Sequence, residues 1–262
     1  MAAPVLTRFS REEFLRERWD YQPGEHVFVC QPSQGGKTHW LFQLAAATEF
    51  PKPPVALVMK AVDPTPAAWT ERLGWKETKH WPPPSRMPWQ SKPPGYTLWP
   101  PHVLTMAPDA LEQTAAIQER EFRKVFLDAR RGGQAIIGDE VYGLIAELNL
   151  RSQIIEAVSR GSSAKSPLWY ATQRPSGTQG ISMPGHLFNC PTHLFLGFDP
   201  VEGNRKRFSE IGGINTAMVM DEVSRLQVIP TPTPHGMKPV SELLYINKNG
   251  PRGGYLCIVA TT

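Results

Sequence analysis

Five short apolar runs constrain this chain more than anything else in it: residues 26–30 (HVFVC), 55–60 (VALVMK), 134–140 (QAIIGDE), 167–175 (PLWYATQRP) and 192–198 (THLFLGF). Each has the length of one strand. Each is apolar nearly throughout, the pattern of a strand buried on both faces rather than one. Between most of them the apolar period changes to that of a helix. Residues 38–50 put Leu41, Leu44 and Ala45 on one face, and Pro51 stops them. Residues 108–131 align Phe122, Val125, Phe126 and Ala129, and Ile145, Leu148, Ile154, Ile155 and Val158 predict one or two further helices before Gly161. Strands alternating with helices predict an α/β fold whose parallel sheet is covered on both sides. At the ends, Ser10 and Glu13 have capping-box spacing before a short helix, and residues 243–260 read as two strands around an Asn-Gly turn.

A chain of 262 residues can bury a substantial core. Its 27 prolines are the unusual component, many of them between Pro51 and Pro108. There, from residue 63 to 108, the periodicity gives way to prolines and tryptophans, and an elaborated connection with little regular structure is expected. Trp69, Trp75, Trp81, Trp89 and Trp99 are read as anchors of that loop; stacking on nucleotide bases is the alternative, with Lys76, Lys79, Arg86 and Lys92 as the cations that would accompany it. Three scattered cysteines give neither metal-ligand spacing nor a disulfide framework. With no long apolar run and no signal-peptide core, a soluble protein of the cytoplasm, with no membrane partner, is expected. The formal charge of +4 is compatible with nucleic acid without requiring it.

The turn after the first run, Gln31-Pro32-Ser33-Gln34-Gly35-Gly36-Lys37-Thr38, nearly matches the phosphate-binding pattern G-x-x-x-x-G-K-[ST], with Gln31 in place of the first glycine. Such a loop aims backbone N–H groups at phosphates from a helix N-terminus, while the lysine adds charge and the hydroxyl ligates Mg²⁺. Gln31 and Gln34 are departures expected to weaken or slow nucleotide binding. The third run ends in Asp139 and Glu140, types suited to holding a metal shell and to activating a water. Gln173, just past the fourth run, would reach between the loop and the acid pair. Taken singly, each has a plain structural reading: a chance GKT, two solvated acids, a loop amide.

Loop, "DE" strand and "ATQRP" in this order resemble the FtsK–HerA group of RecA-like motor ATPases, especially the single-domain packaging and transfer ATPases of phages and actinobacterial mobile elements. "PGEHVFVCQPSQGGKT", "LVMKAVDPT" and "HLFLGFDPVEGNRKRFSEIGG" are similar to further segments of that group, so the likeness spans about residues 20–250. It implies one RecA-like P-loop ATPase domain over 1–262: a helical segment at 1–20, a Pro/Trp-rich insertion at 63–108, a C-terminal β-hairpin at 240–262, and core strands in the order 5-1-4-3-2. The activity implied is ATP-driven DNA translocation. In it Lys37 and Thr38 bind ATP·Mg²⁺, Asp139 orients the metal, Glu140 is the base and Gln173 couples hydrolysis to movement. It further implies double-stranded DNA as partner, a homo-oligomeric ring that can be monomeric in isolation, and a phage portal or transfer-complex partner. A neighbour's arginine would complete the site, which falls on Arg205 or Arg207, with Arg160 as a further candidate. Two other readings stand beside this one: an assembly ATPase of the filamentous-phage kind, which would carry a membrane span, and a nucleotide-binding scaffold without turnover.

Overall fold

The computed structural model describes residues 6–33, 35–85, 87, 89, 91–105, 107–173, 175–177, 181–233, 236–250 and 255–260. Gln34 and Arg86 lie outside the described residues. In chain order the first half gives β1 (Arg8–Phe9), α1 (Arg11–Glu17), β2 (Val27–Cys30), α2 (Lys37–Ala46), β3 (Val55–Leu57), α3 (Pro64–Arg72), β4 (Lys76–Thr78), β5 (Tyr96–Leu98) and α4 (Ala110–Ala129). There follow β6 (Ile136–Gly138), α5 (Val141–Ala146), α6 (Arg151–Arg160), β7 (Leu168–Thr172), α7 (His186–Asn189), β8 (His193–Gly197) and α8 (Glu202–Lys206). A 3₁₀ turn at Arg207–Glu210, α9 (Thr216–Arg225), β9 (Val228–Thr233), β10 (Gly236–Ser241), β11 (Leu243–Asn247) and β12 (Tyr255–Val259) complete it.

The strands β8-β2-β7-β6-β3 lie side by side and all parallel, so the five apolar runs do take the order 5-1-4-3-2. Antiparallel β11 and β12 extend the sheet beyond β8, and β1 pairs beyond them. Alternation along β2 shows why the runs are apolar throughout. Phe28 and Cys30 enter the core shared with Phe122, Tyr170 and Leu196, while Val27 and Val29 enter that of Trp40, Trp169 and Phe195. Each face is roofed by helices, so neither set of side chains meets water. The N-terminal helix has its capping box: the Ser10 hydroxyl accepts from Glu13 N, and the Glu13 carboxylate from Ser10 N.

The Pro/Trp region differs from its expectation. It is irregular only in part: α3, β4 and β5 form within it, and β5 and β4 prolong the parallel sheet past β3. Asp63 caps α3 by accepting from Thr65 N, and Pro64 sits where a missing N–H costs nothing. Trp69, Trp75, Trp81 and Trp99 are buried, as anchors should be, and only Trp89, 79% exposed, remains free to stack on a partner. Lys76, Lys79 and Lys92 are exposed.

Candidate nucleotide site

The loop from residue 31 to 36 joins the end of β2 to the start of α2. Gly36 precedes the helix at φ 86°, a left-handed conformation that a side chain would strain. It turns the chain so that Lys37 and Thr38 open the helix. Pro32 and Ser33 form the outer turn, closed by Gly35 N donating to Pro32 O. Gln31 is tied to the neighbouring strand by its N–H, which donates to Thr172 O at 3.2 Å.

Because β7 lies between β2 and β6, the carboxyl ends of three parallel strands deliver the loop, Gln173 and the acid pair to one edge of the sheet. That edge is where open α/β sheets bind ligands. Thr38 Oγ1 donates to Asp139 Oδ1 at 2.6 Å, joining residues far apart in sequence. Glu140, next in the chain, accepts from Thr172 Oγ1 at 3.1 Å. Burial pushes the Asp139 carboxyl above its ordinary range, opposed by the Thr38 hydrogen bond and by the charges of Lys37 and Lys60. Burial likewise raises Glu140, opposed by Lys37 and by the Thr172 hydrogen bond. The result is two desolvated carboxylates beside lysine charge, the setting expected of acids that serve a metal or a proton rather than solvated ends of a strand.

Among the described residues no three His, Cys, Asp or Glu side chains gather as a metal site. Mg²⁺ does not ask for such a cage, since it takes one or two protein oxygens along with substrate phosphates and water. The Thr38 hydroxyl and the Asp139 carboxylate are oxygens of the kind such a site uses. A cavity of about 40 Å³, lined by Thr38, Asp139, Glu140, Lys60 and Asp63 among others, lies against it.

Gln31 does not stand in solvent where a glycine is expected. Its side chain is 1% exposed, and neither amide atom has a hydrogen-bond partner among the described residues. A Cβ on Gly35 would come within 3.0 Å of its Cβ, and one on Gly197 within 2.7 Å of its Cγ. The glutamine fills a slot that two glycines leave open.

The three candidate arginines are elsewhere. Arg205 sits on α8 and donates to Asp199 O; Arg207 donates to Met183 O at 2.6 Å, pairs with Glu210 and lies over the Phe188 ring. Arg160 is exposed at the end of α6. Among the described residues none of them is hydrogen-bonded or ion-paired to Lys37, Thr38, Asp139 or Glu140. Sequence reasoning passed over Thr172, although a hydroxyl beside Gln173 at the end of a buried strand was its visible sign. It also passed over Ser176, which donates to Asn204 Oδ1 while Asn204 Nδ2 donates to Asp199 Oδ2, so that the segment after Gln173 is bridged to α8.

Sheet order, loop and acid pair together are those of a P-loop NTPase fold. Neither a protein-family model nor a curated protein sequence matches the chain. Solved structures do. The genome packaging NTPase B204 from Sulfolobus turreted icosahedral virus 2, in complex with sulfate, superposes with a TM-score of 0.54 at 11% identity, over 92% of this chain and 98% of that one. B204, the DNA-packaging ATPase from Sulfolobus turreted icosahedral virus, gives 0.54 at 12% identity over 92% and 100%. The complex of the former with AMP gives 0.51 at 11% identity over 92% and 100%. The chain has the fold of these packaging NTPases over almost its whole length. No helix among the described residues is long and apolar enough to cross a membrane.

Proposed function

We propose that this chain is an ATP-hydrolysing DNA translocase of the FtsK–HerA kind that packages or transfers a phage or mobile-element genome, the whole chain acting as one ATPase unit. The observation that carries the reading is the Thr38–Asp139 hydrogen bond, with Glu140 held beside it by Thr172. B204 supports it, as a packaging NTPase of the same fold with an AMP complex.

In this reading the N–H groups of the first turn of α2 and the Lys37 ammonium receive the phosphates. Thr38 and Asp139 would hold Mg²⁺, which when bound offsets charge on the phosphate oxygens. Glu140 takes a proton from the attacking water, and burial raises its pKa, the direction that makes a carboxylate a stronger base. Gln173, half-buried at the end of β7, senses the terminal phosphate. Arg205 of a neighbouring subunit in a ring completes the site. Duplex DNA, gripped through its phosphates, is the cargo.

Steady-state hydrolysis with and without double-stranded DNA tests the reading. DNA should raise the rate several-fold, an effect that fades as salt rises, since phosphate contacts release counterions. A rate indifferent to DNA at every ionic strength would leave an ATPase that is no translocase.

A further inference from the structure

Asp139 and Glu140 face a third functional group that the loop and acid motifs do not include. Lys60 lies three residues beyond β3, on the far side of β6 from the phosphate loop, and lines the same cavity as Thr38, Asp139 and Glu140. Its ammonium is 2.9 Å from Asp63 Oδ2, and the other Asp63 oxygen is engaged in capping α3. The lysine side chain is 67% exposed whereas that of Asp63 is 10% exposed, so the carboxylate is the fixed partner and the ammonium the movable one.

The backbone beneath this lysine accepts three side-chain hydrogen bonds. Gln118 Nε2 donates to Met59 O at 2.6 Å, and His102 Nε2 donates to the same oxygen at 2.7 Å. Trp99 Nε1 donates to Lys60 O at 2.7 Å. Trp99 and His102 belong to the Pro/Trp-rich region, and Gln118 comes from α4. A loop that only connected β3 to α3 would need no such bracing. Three side chains from two separate elements fix where Lys60 starts, while its own four-carbon stem stays free to swing. Electrostatics favour the charged form there: burial works against it, but Asp63, Asp139 and Glu140 outweigh burial and lift the lysine above its ordinary value.

We propose that Lys60 contacts the terminal phosphoryl group of a bound nucleoside triphosphate from the β3 side of the site, with Asp63 holding it in readiness and the Pro/Trp-rich region bracing its backbone. The proposal rests on the nucleotide reading given above and adds a residue to it. A cation so placed meets charge that a diphosphate lacks, so it discriminates between triphosphate and diphosphate. Lys37, arriving with the loop, sits at the β- and γ-phosphates and discriminates less.

Titration of wild type, Lys60→Met and Lys60→Arg with Mg·ADP and with a non-hydrolysable Mg·ATP analogue tests it. Lys60→Met should weaken the triphosphate analogue about tenfold, the scale of one charge-assisted contact, and leave ADP within about twofold. Lys60→Arg should keep most of the preference. Because the side chain is exposed the variants should fold as wild type does, and equal melting temperatures for the three proteins check this. Equal weakening of both nucleotides, or no weakening of either, overturns the proposal. If wild type binds neither nucleotide, the nucleotide reading has failed and the Lys60 proposal falls with it. If wild type binds both and Lys60→Met behaves the same, only Lys60 is misassigned.

Discussion

Gln31 shows how one residue can depart from a motif without leaving the fold. A side chain in place of the first glycine needs room, and Gly35 and Gly197 provide it on either side. The departure is therefore a matter of packing shared between the loop and the end of β8. Adding a methyl at Gly197 would drive its Cβ to 2.7 Å from the Gln31 Cγ, with Cys30 O close by. Gly197→Ala should lower stability to denaturant by about 1–3 kcal/mol, as overpacking does. Gln31→Gly combined with Gly197→Ala should recover most of that loss, because the clash disappears with its partner. Additive losses in the double variant would show that the two residues are not coupled.

Strand β7 is the element on which the site turns. Its last residue holds Glu140 by a hydroxyl, receives Gln31 N–H on its carbonyl and precedes Gln173. A few residues later Ser176 reaches α8, which carries Arg205. Burial raises Glu140, and the Thr172 hydroxyl opposes that rise. Removing the hydroxyl must lift the carboxyl further, so more of the base is protonated at a given pH. Thr172→Val should reduce turnover about tenfold with nucleotide affinity kept, and should move the acid limb of the rate profile to higher pH. Thr172→Ser should restore both. A rate loss with an unmoved acid limb would assign Thr172 to structure alone.

How much of this was legible differs from element to element. The five core strands were, because burial on both faces leaves an unmistakable apolar run. β4 was not: Lys-Glu-Thr at a sheet edge, paired on one side and exposed in its first two residues, looks like loop. The start of α3 was written in Asp63 and Pro64, yet the surrounding prolines obscured it. That the loop, the acid pair and Gln173 come to one edge of the sheet was legible from motif order. The bond from Thr172 to Glu140 was not, because it depends on β7 lying beside β6, a fact of topology and not of spacing.

At the scale of the whole molecule, the proposed ring would bring a neighbour's arginine to each site. Arg207 is bound up in contacts with Met183, Glu210 and Phe188, whereas Arg205, half-buried on α8, is held by one backbone carbonyl. Arg205 is thus the better placed to serve another subunit, and a guanidinium in that role contributes about 10³–10⁵ in rate. Mixing Arg205→Ala with Glu140→Gln, each nearly inactive alone, should restore part of the ATPase activity, since some interfaces would join an intact Glu140 to an intact Arg205. No recovery in rings shown to be mixed would exclude Arg205 as the shared residue.

The central claim, hydrolysis of ATP at the site made by the loop and the acid pair, is met most directly by measuring nucleotide affinity and single-turnover hydrolysis on the same preparations of wild type, Lys37→Ala and Glu140→Gln. Lys37→Ala should lose binding. Glu140→Gln should bind Mg·ATP as tightly as wild type and cleave it at least about 100-fold more slowly, the share of a general base. Wild-type cleavage rates in Glu140→Gln, or undiminished binding in Lys37→Ala, would contradict the account.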